Sequence, residues 1–150
     1  MDAVTYPNAE VAQFIEANFI PVQFNVAETP EAMDRFHTPW TPTLIVQSAD
    51  GTEHRRSQGY LDPLRFLAEM ALARLKDAID RRDYEEAYRR VPEALKRTKG
   101  DEQREPETLY WAAVTTYKAK DSGLLDGWNH LMEQFPNSEW ARKVEFIKPA

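Results

Sequence analysis

Cysteine is absent from this chain of 150 residues. Its absence excludes a disulfide framework, thiolate metal ligands and thiol catalysis by the residues present. Glycine is scarce, with five residues, and no glycine-rich phosphate loop or Walker-type motif occurs. No apolar run reaches the roughly 18 residues of a membrane-spanning helix, and the first residues lack the basic start and apolar stretch of a secretory signal. We therefore expect a soluble cytoplasmic protein, unless an export signal precedes Met1.

The composition is that of a folded protein, with 42% hydrophobic and 29% charged residues. The net charge of −6 argues against nucleic-acid binding, which needs a basic face. His37, His54 and His130 are single and far apart in the chain, so the sequence predicts no metal site. No paired acid–base arrangement occurs either. We predict no catalytic residue, no metal and no cofactor for this chain.

The first part of the chain predicts a mixed α/β domain. Val22, Phe24 and Val26 alternate with polar residues, as in a short strand. Thr43–Ser48 is apolar and β-branched, Asp50-Gly51 is a hairpin signal, and Glu53–Gly59 reads as a polar edge strand. Helices are predicted to start at three turn signals, which are Asn8, Thr29-Pro30 with Thr29 as the cap, and Asp62-Pro63.

The second part predicts helices only. Asp83 and Glu86 have the spacing of a capping box, and Ser138 is placed to cap a last helix. Pro92 is expected to kink or restart the helix that contains it. Lys96–Glu105 is expected to be a charged, flexible loop.

The Trp40-Thr41-Pro42-Thr43 step, followed by an apolar strand and a hairpin, resembles the second half of a thioredoxin-like domain. The resemblance covers residues 1–72 and begins just after the point where that family carries Cys-x-x-C. It implies a cis Thr41–Pro42 peptide, a peptide-docking loop at Trp40, Thr41 and Pro42, and a family role in cell redox homeostasis. With no thiol opposite it, the step is better explained in this chain as a structural turn. Trp40 is expected either to be an exposed aromatic anchor or to pack on the first helix.

The strand that leads into Cys-x-x-C would lie between Val22–Val26 and Thr43–Ser48, and it is missing. Each buried unpaired backbone group costs about 1–3 kcal/mol, so such a gap must close. The natural protein would be longer, or the two flanking strands would pair directly as antiparallel neighbours. Alternatively, a strand from another chain would cover the open edge and produce a homo-oligomer. The expected sheet thus has about three strands.

Residues 73–150 resemble degenerate tetratricopeptide-type repeats, because residues 82–87 look like a repeat turn and 135–138 like a repeat end. This resemblance implies antiparallel helical hairpins with a groove for a protein or peptide. The candidate groove contacts are Tyr88, Tyr110, Tyr117 and Trp128, and the competing interpretation is that these side chains only pack in the core.

Two functional hypotheses follow from these resemblances. The first is a redox-inactive module that binds another protein, with no nucleic-acid or membrane partner. The alternative is a fragment of a thiol–disulfide oxidoreductase whose Cys-x-x-C lies upstream of Met1. The chain as given carries no catalytic thiol under either hypothesis.

Overall fold

The computed structural model describes residues 1–147. Residues 148–150, the end of the region predicted to form helical hairpins, lie outside the described part. The chain divides into two compact units, Met1–Leu67 and Ala68–Ala150. Its described residues are rich in helix and contain a small antiparallel sheet of two strands.

The first unit contains helices α1 (Ala9–Asn18) and α2 (Glu31–Arg35). Helix α2 begins after Pro30 and has no side-chain cap, so the predicted cap at Thr29 is wrong. Asn8 caps α1 as predicted, because its side-chain oxygen accepts from the backbone N–H groups of Glu10 and Val11. The apolar side of α1 is buried through Val11 and Phe14. Local capping chemistry and helical spacing together account for this element.

The sheet consists of β1 (Thr43–Gln47) and β2 (Glu53–Gln58), joined by the predicted Asp50-Gly51 turn. Thr43 lies opposite Gln58, and the register shifts between Val46 and Gln47, which marks a β-bulge. Gly51 has a φ of +85°, a conformation that glycine adopts without steric cost.

The predicted third strand is wrong. Val22–Val26 has irregular backbone, and β1 pairs with β2 alone among the described residues. Direct antiparallel pairing of Val22–Val26 with β1 therefore does not occur. Alternation of apolar and polar residues favours a strand only where a neighbour supplies the hydrogen bonds. Here the described residues supply none, and Val22 is 72% exposed.

Helix α3 (Pro63–Asp80) begins at the predicted turn, where Asp62 Oδ1 accepts from the Arg65 N–H at 3.0 Å. The second unit continues with helices only. Their bounds are α4 (Tyr84–Thr98), α5 (Arg104–Lys120), α6 (Leu124–Gln134), α7 (Glu139–Arg142) and a 3₁₀ turn (Glu145–Ile147). None of the helices within residues 1–147 is long and apolar enough to cross a membrane.

Asp83 and Ser138 cap their helices as predicted, but Glu86 does not complete a capping box. The Asp83 N–H donates instead to the Ala78 carbonyl oxygen, and the Glu86 carboxylate bonds Arg89 and Arg90. Asp83 accepts from the Glu86 N–H at 3.1 Å, and Ser138 accepts from the Ala141 N–H at 3.0 Å. Both bonds satisfy backbone donors that the first helical turn leaves without partners.

Helix α4 does not restart at Pro92, because it runs as one element from Tyr84 to Thr98. An interior proline costs about 3 kcal/mol. Burial of Ala87, Val91 and Ala94 in one apolar cluster with residues of α3 offsets that cost. The predicted restart at Pro92 therefore does not occur.

The predicted Lys96–Glu105 loop is shorter than expected and covers only residues 99–103. Asp101 Oδ1 accepts from the N–H groups of Gln103 and Arg104, at 3.0 and 2.9 Å. The Gly100 N–H donates to Glu105 Oε2 at 2.6 Å. The loop is therefore tied to the start of α5 by its own polar side chains.

Candidate functional site

The Trp40-Thr41-Pro42 turn is held to the hairpin by two hydrogen bonds. The Thr43 hydroxyl donates to the Trp40 carbonyl oxygen at 2.6 Å, and the Gly59 N–H donates to the Pro42 carbonyl oxygen at 2.8 Å. The Thr41–Pro42 peptide is cis. The Trp40 side chain remains 68% exposed. A large aromatic side chain therefore projects from a turn whose backbone is fixed.

Strand β1 is apolar but poorly covered. Leu44, Ile45 and Val46 are only half-buried, and no residue of β1 is fully buried. An apolar strand in the middle of a sheet is usually covered on both faces. This strand therefore presents apolar area and backbone groups that the described residues leave uncovered.

Strand β2 differs from β1 because it carries charged side chains, two of which form an ion pair within the strand. The Arg56 guanidinium bonds the Glu53 carboxylate at 2.6 and 2.8 Å and donates to the Phe36 carbonyl oxygen at 2.9 Å. The hydrogen bond from Arg56 is the main cause that lowers the pKa of Glu53 below its usual value. These bonds hold the charged side of the hairpin against the end of α2.

The predicted groove residues separate into two pairs. Tyr88 on α4 and Tyr117 on α5 are 39% and 40% exposed. Lys120 Nζ lies 5.0 Å from the centre of the Tyr88 ring and 3.2 Å from the Glu85 carboxylate. These tyrosines are accessible to a partner at the surface of the helical unit.

Tyr110 and Trp128, by contrast, are partly buried and stack on each other, with ring centres 5.6 Å apart and planes 18° apart. Tyr110 also contacts Trp140, with 5.1 Å between ring centres. Both rings pack against the cluster around Leu131. Their main role is therefore to hold α5, α6 and the residues beyond α6 together, as the packing interpretation expects.

Sequence inspection missed the lysines that accompany the exposed tyrosines. Lys118 Nζ lies 6.0 Å from the Tyr84 ring centre and 5.9 Å from the Tyr117 ring centre. The Tyr84–Lys118 contact joins α4 to α5, so the spacing of residues within one helix does not predict it. A lysine and an aromatic ring at this distance attract each other weakly, by about 0.5–1 kcal/mol at an exposed site.

The hairpin also borders one shallow cavity of about 290 Å³. Its lining comprises Arg35, Phe36, His37, Gln47, Gly51, Glu53 and Arg56. Glu53 is the one carboxylate among these lining residues, and it is bonded by Arg56. Among residues 1–147, no group of three His, Asp or Glu side chains could hold a metal ion.

Comparison with known proteins gives no match, whether to family models, to curated proteins or to solved structures.

Proposed function

We propose that this chain is a redox-inactive protein–protein interaction module, in which a thioredoxin-like unit is joined to tetratricopeptide-like helical hairpins. The observation that carries the proposal is the exposed Trp40 on a hydrogen-bonded turn. Tryptophan is among the residues that contribute most binding energy at protein interfaces. An anchor whose backbone is already ordered loses little conformational entropy on binding.

The chemistry around Trp40 favours an apolar, extended peptide as the partner. Residues 38–49 contain no charged side chain and no histidine. The neighbouring β1 residues Leu44 and Ile45 are half-exposed and apolar. A charged peptide would find no counter-ion in this segment, whereas apolar side chains would find area to cover.

A displayed library of random peptides tests this proposal. Peptides selected on the unmodified chain are expected to bind Trp40→Ala about tenfold or more weakly. Leu64→Ala is the control, because Leu64 is 76% exposed on α3 and lies outside the uncharged segment. Equal losses in the two variants, or a selection that enriches no peptide, would reject the proposal. Insulin reduction by this chain above that of dithiothreitol alone would contradict redox inactivity.

A second candidate function is thiol–disulfide exchange by a longer protein of which this chain is a part. The edge of β1 that β2 does not cover favours it, since that is where the resemblance locates the strand leading into Cys-x-x-C. The reading frame immediately upstream of Met1 tests this candidate. An apolar strand ending in Cys-x-x-C would support it, and an in-frame stop codon would exclude it.

A further inference from the structure

The two edges of the hairpin are chemically unequal. The outer strand β2 carries Glu53, Arg55 and Arg56 and is irregular at the bulge. Charged side chains and bulges are the devices by which natural sheets block unwanted strand pairing. Strand β1 has neither charge nor proline within its bounds. One edge is therefore protected against a further strand, and the other is not.

The hydrogen-bond alternation of the hairpin defines which groups of β1 face the open edge. Thr43 lies opposite Gln58, so Pro42 and Gly59, the next residues outward, also lie opposite each other. The Gly59 N–H donates to the Pro42 carbonyl oxygen, so Pro42 and Gly59 are a hydrogen-bonded pair. Hydrogen-bonded and non-hydrogen-bonded pairs alternate along antiparallel strands. Thr43 and Ile45 therefore direct their N–H and C=O groups away from β2.

We propose that β1 pairs with β1 of a second copy of this chain, antiparallel about a twofold axis at Leu44. Thr43 then exchanges backbone hydrogen bonds with Ile45 of the second copy, and Ile45 does so with Thr43 of that copy. Leu44 faces Leu44 of the second copy as a non-hydrogen-bonded pair, the kind whose side chains approach most closely. The two hairpins form one continuous sheet with the charged β2 strands at its outer edges.

A second copy suits this edge for two reasons. The register of β1 is regular from Thr43 to Val46 and shifts before Gln47, so the outward groups of the regular segment are those of Thr43 and Ile45. These groups lie symmetrically about Leu44, as a twofold interface centred there requires. The chain carries a net charge of −6, but residues 38–49 carry none, so no like charges meet where the strands pair. Pairing also covers the half-exposed Leu44 and Ile45 side chains.

The dimer would cover the same Leu44 and Ile45 side chains that the proposed function offers to an apolar peptide. The two proposals have separate readouts, because peptide selection on Trp40→Ala tests the proposed function and the oligomeric state tests the dimer. Sedimentation of the full chain gives the first test. We expect a concentration-dependent species of twice the 17.4 kDa chain mass. A single species of the chain mass at all concentrations would overturn the proposal.

The absence of cysteine makes an introduced thiol a clean reporter of register. Leu44→Cys should give a disulfide-linked dimer under mild oxidation, because opposite residues of this kind have the Cα separation that a disulfide needs. Ser57→Cys is the matched control, since Ser57 lies opposite Leu44 on the protected strand. Equal cross-linking of the two variants, or cross-linking of Ile45→Cys in preference to Leu44→Cys, would overturn the Leu44-centred register.

Variants with opposite charges at position 44 distinguish loss of the dimer interface from unfolding of the chain. Leu44→Lys and Leu44→Glu should each sediment as monomers with unchanged helical circular dichroism, and an equal mixture should restore the dimer. A mixture of folded variants that stays monomeric would contradict the proposed pairing. If either variant is unfolded, the sedimentation and cross-linking results decide the matter alone.

Discussion

The Thr5 hydroxyl donates a 2.6 Å hydrogen bond to the carbonyl oxygen of Leu61, and both residues are buried. The bond joins the first turn of the chain to the segment that precedes α3. It satisfies the backbone carbonyl of a residue that is only 5% exposed, and it joins residues far apart in the sequence.

Thr5→Val should lower the free energy of unfolding by about 1–3 kcal/mol, because it leaves the buried Leu61 carbonyl without this donor while preserving the side-chain shape. Urea denaturation followed by circular dichroism measures the change. Thr5→Ser keeps the hydroxyl and should retain most of the stability. Equal losses in the two variants would show that the methyl group matters more than the hydrogen bond.

Gly127→Ala should destabilise the helical unit, although alanine is normally the better helix residue. A Cβ at position 127 would lie 2.6 Å from the Cβ of Ala113 on α5, closer than van der Waals contact permits. Overpacking of this kind costs about 1–3 kcal/mol. The double variant Gly127→Ala with Ala113→Gly should recover part of the loss. A single variant as stable as the parent would contradict the close approach of α5 and α6.

Asp77 should contribute stability that disappears in acid. Hydrogen bonding to Arg81, at 2.9 Å, is the main cause that lowers the pKa of the Asp77 carboxyl, and Arg90 bonds it at 3.0 Å. Because the folded pKa lies below the unfolded value, the contribution is complete above the unfolded pKa, near 3.9. It is lost as pH falls from there through the folded pKa.

Asp77→Asn should therefore lower the unfolding free energy by roughly 1–2 kcal/mol at neutral pH and flatten its decline in acid. Denaturant titrations across this acid range give both quantities. Glu133→Gln, which removes an exposed carboxylate on α6, is the control for the change in net charge. If the two variants show the same pH dependence, the Arg81 and Arg90 contacts have no measurable role.

The hairpin turn contains a carboxyl group with a strongly shifted titration. A hydrogen bond from the Ser48 hydroxyl, at 2.6 Å, and one from the Thr52 N–H, at 2.9 Å, lower the pKa of Asp50 to about 2. Ser48→Ala should raise this pKa toward the unperturbed value of about 3.9. Carboxyl carbon NMR across a pH titration reports it directly. Ser57→Ala, on β2, should leave the Asp50 titration unchanged.

Local chemistry was sufficient to predict most helix starts. Asn8, Asp62, Asp83 and Ser138 each accept from a backbone N–H in the following turn, as their residue types indicate. The hairpin turn at Asp50-Gly51 was predictable for the same reason. All these bonds join residues within a few positions of each other, so the sequence contains both partners.

Strand pairing and core membership were not predictable in this way. Val22–Val26 has the alternation of a strand but no partner among the described residues. Tyr110 and Tyr117 are spaced two helical turns apart on α5. Tyr110 nonetheless stacks on Trp128, whereas Tyr117 remains exposed. A helical period identifies a face, but the neighbouring helix decides which part of that face is covered.

The sequence by itself determined that this chain has no thiol chemistry, where most of its helices begin and where its hairpin turns. Only the tertiary structure decided that β2 is the one strand partner of β1 within residues 1–147 and that Trp40 stays exposed. The physical reason is the distance along the chain between the groups that interact. Caps and turns are satisfied by near neighbours, whereas a strand edge or an apolar face is satisfied only by segments that the fold brings together.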